Sequence, residues 1–343
     1  MAWRKAMPSN PVVAVAGATG AVGVEMLKVL AGRSFPASRV IALASSRSAG
    51  KRVPFGAGEL VVEEMTSSSF EGVDIALFSA GADVSRRFRD AATNAGCVMI
   101  DNSSAFRMDD DVPLVVPEVN PGDVGWHSGV VANPNCSTIQ MVVALKPLAD
   151  IAPITRVVVA TYQAASGAGQ AAMDELYTQS REFLAGQELH VRHFAHRIAF
   201  NCIPHIDVFL GDGSTKEEWK MVVETQKIMH APEIRVAATC VRVPVLRCHS
   251  ESIAVEFSAP VALDAARDAL RAASGVTLID DPAESSYPMP ALLEGTDEVF
   301  VGRLRADGSV PNGLQLWCVA DQLRKGAALN AVQIAELLLQ RYY

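Results

Sequence analysis

A five-residue apolar run, Val12–Ala16, leads directly into Gly17-Ala18-Thr19-Gly20-Ala21-Val22-Gly23, after which apolar residues recur at Val22, Met26, Leu27 and Leu30. The order of strand, glycine turn and amphipathic helix admits few folds. Glycines there let the chain turn tightly and let backbone approach a pyrophosphate, which then sits at the helix amino terminus. The spacing is G-x-x-G-x-x-G rather than G-x-G-x-x-G, so the alternative is a tight β–α turn that holds no ligand. In the ligand-binding reading, all seven residues of the turn are candidate cofactor contacts.

The alternation continues. Val40–Ala44, Asp74–Phe78 and Cys97–Ile100 read as strands and Ala82–Ala95 as a helix, which predicts a parallel sheet with helices on both faces. Beyond residue 150 the pattern changes. Thr155–Tyr162, Ile234–Val243, Glu251–Phe257 and Gly313–Ala320 read as longer strands, with helices over Gln170–Leu184, Glu217–Met229 and Leu263–Ala273. That predicts an α+β domain with a largely antiparallel sheet. Lys325–Tyr343 carries helical spacing. A chain of 343 residues exceeds what one hydrophobic core organises, so two domains are expected.

Composition excludes several classes. Hydrophobic residues are 50% and charged residues 20% of the chain, the balance of a packed enzyme rather than a disordered segment. Thirty basic against 38 acidic residues give a net charge of −8, which argues against nucleic acid as a partner while leaving room for a local basic pocket. Six cysteines occur without a CxxC pair, so neither a disulfide framework nor a metal site is expected, and a reducing compartment is. The first apolar run is too short for a signal peptide, and no stretch approaches the roughly 20 apolar residues of a membrane helix. These features predict a soluble, cytoplasmic protein with no membrane partner.

Five further segments are candidates for chemistry. The second strand ends in Ala44-Ser45-Ser46-Arg47-Ser48-Ala49-Gly50-Lys51. It lacks the acid that binds the ribose hydroxyls of NAD. Its hydroxyls and arginine suit a 2′-phosphate, hence NADP, or else form a solvated loop. Ser79, after a later strand, is a natural further contact. In Asn133-Pro134-Asn135-Cys136-Ser137-Thr138, Cys136 is either a nucleophile or a small buried side chain. A helix starting at Ser137, with Ser137 or Thr138 as its cap, would put a positive dipole end beside the thiol. Asn133 and Asn135 can supply donors. Between two strands, Arg242–Glu251 gathers a proton shuttle, His249, and a guanidinium suited to a carboxylate, Arg242. A loop histidine that is simply exposed is the alternative. Gln163–Gly169 is a glycine-rich turn after a strand, and Lys216–Lys220 is a charge run that alone reads as a solvated helix face.

Nine segments then occur in one order: GATGAVG, SSRSAGK, DNSSAFR, NPNCST, QAASGAG, FNCIPHID, EEWKMVVET, RVPVLRCHSE and LRKGAALNAVQIAE. In this the chain closely resembles the bacterial aspartate-semialdehyde dehydrogenase family, over essentially its whole length after the first ten residues. The resemblance implies a Rossmann-type NADP-binding domain over residues 1–136, completed by a carboxyl-terminal helix at 321–343. It implies an α+β catalytic and dimerisation domain over 137–320, of the glyceraldehyde-3-phosphate dehydrogenase type, and a homodimer. The implied reaction is NADPH-dependent reductive dephosphorylation of L-aspartyl 4-phosphate, on the way to lysine, threonine, methionine, isoleucine and diaminopimelate. By the same resemblance Cys136 is the nucleophile, His249 the acid/base and Gln163 the orienting amide. Arg242 holds the substrate carboxylate, Arg107 and Lys220 the phosphate, and Glu217 lies near the amine. Ser166, Gly167 and Gln322 join the cofactor contacts. The chain departs from the family at Cys248, where glycine is common. If that position requires an unusual backbone angle, cysteine strains the loop; it is also a candidate oxidation-sensitive thiol. The nearest rival is an N-acetyl-γ-glutamyl-phosphate reductase. Two further classes are a thiol acyltransferase or hydrolase and a catalytically silent NADP-binding regulator.

Overall fold

The computed structural model describes residues 7–341; the first six residues, and Tyr342 and Tyr343 of the expected carboxyl-terminal helix, lie outside the described residues. The chain divides into two units, Cys136–Lys325 and the segments on either side of it.

The first unit holds β1 (Val12–Ala16), α1 (Ala21–Gly32), β2 (Arg39–Ala44), β3 (Arg52–Phe55), β4 (Gly58–Glu64), β5 (Ile75–Phe78), α2 (Ala82–Asn94), β6 (Val98–Asp101) and β7 (Val130–Ala132). Its sheet runs β3-β4-β2-β1-β5-β6-β7, parallel except for the β3–β4 hairpin. Every residue of β5 and β6 is buried, as strands covered on both faces require. On β4 only Val62 is buried, and β3 carries Pro54, which has no N–H to give and so sits at an edge. The chain steps outward from β1 through β2 to β4, then restarts on the other side of β1 with β5. That reversal opens a crevice at the carboxyl ends of β1 and β5. The carboxyl-terminal helix, Leu329–Arg341, packs Leu329, Val332, Ala335 and Leu338 into the same core as Val13, Val15 and Leu77.

The second unit holds α3 (Cys136–Ala149), β8 (Ile154–Gln163), α4 (Gln170–Leu184), α5 (Lys216–Ile228), β9 (Arg235–Arg242), β10 (His249–Phe257), α6 (Leu263–Ala272), β11 (Val276–Leu278), β12 (Val299–Asp307) and β13 (Gly313–Ala320). The strand order is β11-β12-β13-β10-β8-β9. The sheet is largely antiparallel, as expected, through the β8–β10, β10–β13 and β12–β13 pairs, with two parallel pairs at its edges. The β8–β9 and β11–β12 pairs are parallel, because each connection contains a helix or a long excursion able to carry the chain back to its starting edge. Among the described residues, no helix is long and apolar enough to cross a membrane.

One consequence of this topology positions chemistry. β8 and β9 end together, with Gln163 opposite Arg242. β10 runs the other way beside β8 and begins with His249 at that same edge, where Ser250 faces Tyr162.

Candidate active site

Three neighbouring strands thus deliver Gln163, Arg242 and His249 to one rim. All three are buried, His249 completely. His249 Nδ1 accepts the Ala164 N–H at 3.0 Å, so the neutral ring carries its hydrogen on Nε2. Burial pulls the imidazole well below its ordinary pKa, and the Arg242 guanidinium pulls it further. Arg242 Nη1 donates to Ala164 O at 2.6 Å. Gly167 closes over the pair: a Cβ there would lie 2.9 Å from His249 Cε1 and Nε2, and 3.0 Å from Arg242 Nη1.

Helix α5 supplies the facing charges. Thr215 caps it: its Oγ1 accepts the Glu218 N–H at 3.3 Å and its N–H donates to Glu218 Oε2 at 2.7 Å. This reciprocal cap fixes the first turn, and with it Glu217 and, three residues on, Lys220. Gln163 Nε2 donates to Glu217 Oε1 at 3.2 Å. Lys220 Nζ bridges Glu217 Oε2 at 3.1 Å and Asp207 Oδ2 at 2.7 Å. Burial works against the ammonium, yet Glu217 and Asp207 outweigh it, and the Lys220 pKa is raised. Asp207 shows the converse: burial pushes it up, and Lys220 carries it below its ordinary value. Asp207 had no role in the sequence reading, because its partner lies a loop and a helix turn away.

Cys136 is half-buried and is the first residue of α3. The helix starts one residue earlier than expected, so Ser137 and Thr138 lie within its first turn rather than capping it. Burial lowers the Arg242 pKa, while Glu217 and Cys136 act on it in the opposite direction. Arg242 is therefore within electrostatic reach of Cys136, Glu217 and His249. The Asn133 amide, expected as a donor at the thiol, is committed within the first unit. Its Nδ2 donates to Asn102 Oδ1 at 2.7 Å and Ala327 O at 3.3 Å, and its Oδ1 accepts from Asn330 at 2.7 Å. Arg107 belongs to that network too, donating to Asn133 O at 2.9 Å and Asn102 O at 3.0 Å.

Cys248 does occupy a left-handed backbone conformation, φ +70°, worth about 1–2 kcal/mol of strain for a residue with a Cβ. Burial among Leu293, Phe300 and Val319 offsets it. Its N–H donates to Gln322 Oε1 at 2.9 Å, and Gln322 Nε2 bonds Ser166 Oγ. Gln322 and Ser166, both expected at the cofactor, thus tie the turn after β8 to the loop before β10. Burial, reinforced by Asp321, pushes the Cys248 thiol up to about 12. A fully buried, protonated thiol is inert to ordinary oxidants.

The crevice of the first unit holds a pocket of about 450 Å³ lined by Gly17, Thr19, Gly20, Ser45, Ser46, Arg47 and Ser79. Gly17 has φ +88°, and a Cβ on it would stand 2.3 Å from Ser79 O, so only glycine makes this turn. Ala18, Ala21, Val22, Gly23 and Ser48 do not line the pocket. Two charged residues not anticipated do: Glu64 and Arg87. Glu64 ends β4 directly beside Ala44 at the end of β2, so the acid missing from β2 arrives from the next strand. Helix α1 has no acid in its first turn. That opening, with two guanidiniums and several hydroxyls, fits a phosphate-bearing dinucleotide. Among the described residues, no group of three metal-ligating side chains occurs.

Residues 12–127 match the family model of the semialdehyde dehydrogenase NAD binding domain, and residues 145–325 match that of the semialdehyde dehydrogenase dimerisation domain. The aspartate-semialdehyde dehydrogenase of Aquifex aeolicus is 55% identical over 96% of this chain and 98% of its own length. Aspartate semialdehyde dehydrogenase II of Vibrio cholerae, in a crystal structure complexed with ASA, superposes with a TM-score of 0.95 at 48% identity, covering 98% of this chain and 100% of that one. A Candida albicans aspartate semialdehyde dehydrogenase with NADP aligns at TM-score 0.75 and 26% identity, over 98% of this chain and 100% of that one.

Proposed function

Because this chain belongs to the aspartate-semialdehyde dehydrogenase family, we propose that it reduces L-aspartyl 4-phosphate to L-aspartate 4-semialdehyde with NADPH, reversibly, through a Cys136 thioester. The observation that carries this reading is the charge set around one rim. Arg242 suits the α-carboxylate, Glu217 the α-ammonium and Lys220 the phosphate. Each charge-assisted hydrogen bond is worth about 1.5–3 kcal/mol. Cys136 attacks the acyl carbon, Gln163 orients the substrate, and phosphate leaves toward Lys220. The bound nicotinamide supplies the hydride. Thioester sulfur donates little into the carbonyl, which keeps that carbon receptive to hydride. An N-acylated substrate brings no ammonium for Glu217 to meet, which disfavours the N-acetylglutamyl phosphate reading.

Homodimerisation through the second unit is supported by its match to a dimerisation domain. The cysteines of the described residues form no disulfide, which suits a reducing cytoplasm. The product would feed lysine, diaminopimelate, threonine, methionine and isoleucine synthesis. The direct test is reduction of NADP by aspartate semialdehyde with and without inorganic phosphate. Phosphate-dependent reduction is expected; equal rates without phosphate, or a preference for N-acetylglutamate semialdehyde, would remove the assignment.

NADP is supported by Arg47 and Arg87 in the pocket and opposed by Glu64, whose carboxylate would rather meet a ribose diol. Arg47→Gln and Arg87→Gln should each raise KM for NADPH about tenfold, with NADH changed little. Glu64→Gln should shift the preference toward NADPH. The ratio of kcat/KM for the two cofactors across these variants is the measurement; an unmoved ratio would place the 2′-phosphate elsewhere.

A further inference from the structure

The loop that enters α5 is tied down at both ends. Ile203 exchanges two main-chain hydrogen bonds with Arg242, the last residue of β9, at 2.9 and 2.8 Å. Farther on, Val208 O accepts the Lys216 N–H at 2.8 Å and Phe209 bridges Thr215, so the segment closes as a hairpin on the cap and first residue of α5. Between these anchors stands Asp207, in the left-handed region at φ +69°. That conformation suits aspartate better than most residues with a Cβ, because its short side chain can bond the local backbone. Here Oδ1 accepts the Val208 N–H at 2.9 Å. Oδ2 then meets Lys220 Nζ at 2.7 Å. The aim of this carboxylate is set by backbone on both sides of it, not by the lysine it meets.

A lysine ammonium is otherwise a point charge on a flexible stem. Glu217, one turn back on α5, takes a second Lys220 N–H at 3.1 Å. An ammonium has three N–H bonds, so two fixed acceptors dictate where the third one points. Resting on the reading that Lys220 receives the departing phosphate, we infer that Asp207 is a positioning residue for the reaction, which together with Glu217 turns the third Lys220 N–H toward that phosphate. The alternative is competition, in which a carboxylate on the lysine opposes the arriving anion. The hydrogen-bond count decides against it. Asp207 occupies one donor of three, and its own charge is shared among Lys220, the Val208 N–H and, at longer range, Lys216. Glu217 is the weaker anchor, because it also accepts from Gln163 and is the group that suits the substrate ammonium. Once that ammonium draws on Glu217, Asp207 alone keeps the lysine in place. The charged groups acting here are Glu217 from α5 and Asp207 from the loop on Lys220, Lys216 on Asp207, and Arg242 from β9 facing Glu217.

Two variants test this without disturbing the turn, since asparagine and glycine both accept a left-handed backbone. Asp207→Asn removes the charge and Asp207→Gly the whole side chain. The assay is NADP reduction by aspartate semialdehyde with inorganic phosphate as the varied substrate. KM for phosphate should rise about tenfold or more in each variant, the loss of one charge-assisted contact. The kcat at saturating phosphate and KM for aspartate semialdehyde should stay within about threefold of wild type. The pH dependence adds a sign. Burial favours the neutral amine and the two carboxylates outweigh it; without Asp207 the Lys220 pKa falls, and proton loss weakens phosphate binding as pH rises. The ratio of variant to wild-type kcat/KM for phosphate should therefore drop further between about pH 7 and 9.5, where a merely loosened fold would leave it flat. In a Lys220→Ala background, Asp207→Gly should add little. A KM for phosphate unmoved or lowered in both variants overturns the inference, as does an undiminished effect once the lysine is gone. Phosphate-independent turnover of the wild type would instead remove the phosphate site itself, and the inference with it.

Discussion

Cys136→Ser is expected to lower kcat by roughly 10³-fold or more, with cofactor affinity unchanged. A serine hydroxyl ionises far less readily than a thiol, so the attacking anion is lost. Any ester that did form would resist hydride better than a thioester, since oxygen donates more strongly into the carbonyl. The dinucleotide pocket is lined by residues of the first unit, from Gly17 to Phe88, and Cys136 contributes nothing to it. Titration with NADPH should therefore match wild type. Single-turnover release of phosphate from aspartyl phosphate, which precedes hydride transfer, should vanish together with turnover. Turnover near the wild-type value would remove Cys136 from the mechanism. Loss of NADPH binding would instead point to a damaged fold.

What could be read from sequence was what local periodicity encodes. Val12–Ala16, Asp74–Phe78 and the first two helices are short-range patterns, and the structure places elements within a residue or two of each expected span. The candidate nucleophile and its partners could be named because their motifs are contiguous. Their meeting depends on strand register, which no local pattern carries. That Gln163 stands opposite Arg242 follows from β8 and β9 being parallel, a pairing that a largely antiparallel expectation does not specify. The pocket acid was missed for the same reason: Glu64 reaches it through the β3–β4 hairpin, whose weakly alternating, exposed residues gave no clear strand signal. The partner of His249 is a main-chain N–H, which leaves no trace in residue identity. Cys248 was legible only as a departure from glycine, and its positive φ shows what that glycine is for.

Gly167→Ala is the second change of large expected effect, and it separates two roles for one residue. As a cofactor contact, Gly167 would affect KM for NADPH and leave kcat nearly alone. As the spacer over His249 and Arg242, it would do the reverse. A methyl group 2.9 Å from two ring atoms cannot be accommodated without movement. The Arg242 side chain can yield, but the imidazole is held by the Ala164 N–H, so Nε2 shifts or the 165–168 turn lifts. Misplacing a catalytic group by about 1 Å costs on the order of 10²-fold in rate, and the overpacking should cost about 1–3 kcal/mol of stability. The expected result is kcat down roughly 10²-fold, with NADPH affinity within about twofold of wild type. A double-mutant cycle sharpens it. Once His249→Asn has removed the ring, Gly167→Ala should add little further loss, since residues acting through one contact are not additive. Losses that multiply in the double variant, or a KM effect confined to NADPH, would assign Gly167 to the cofactor instead.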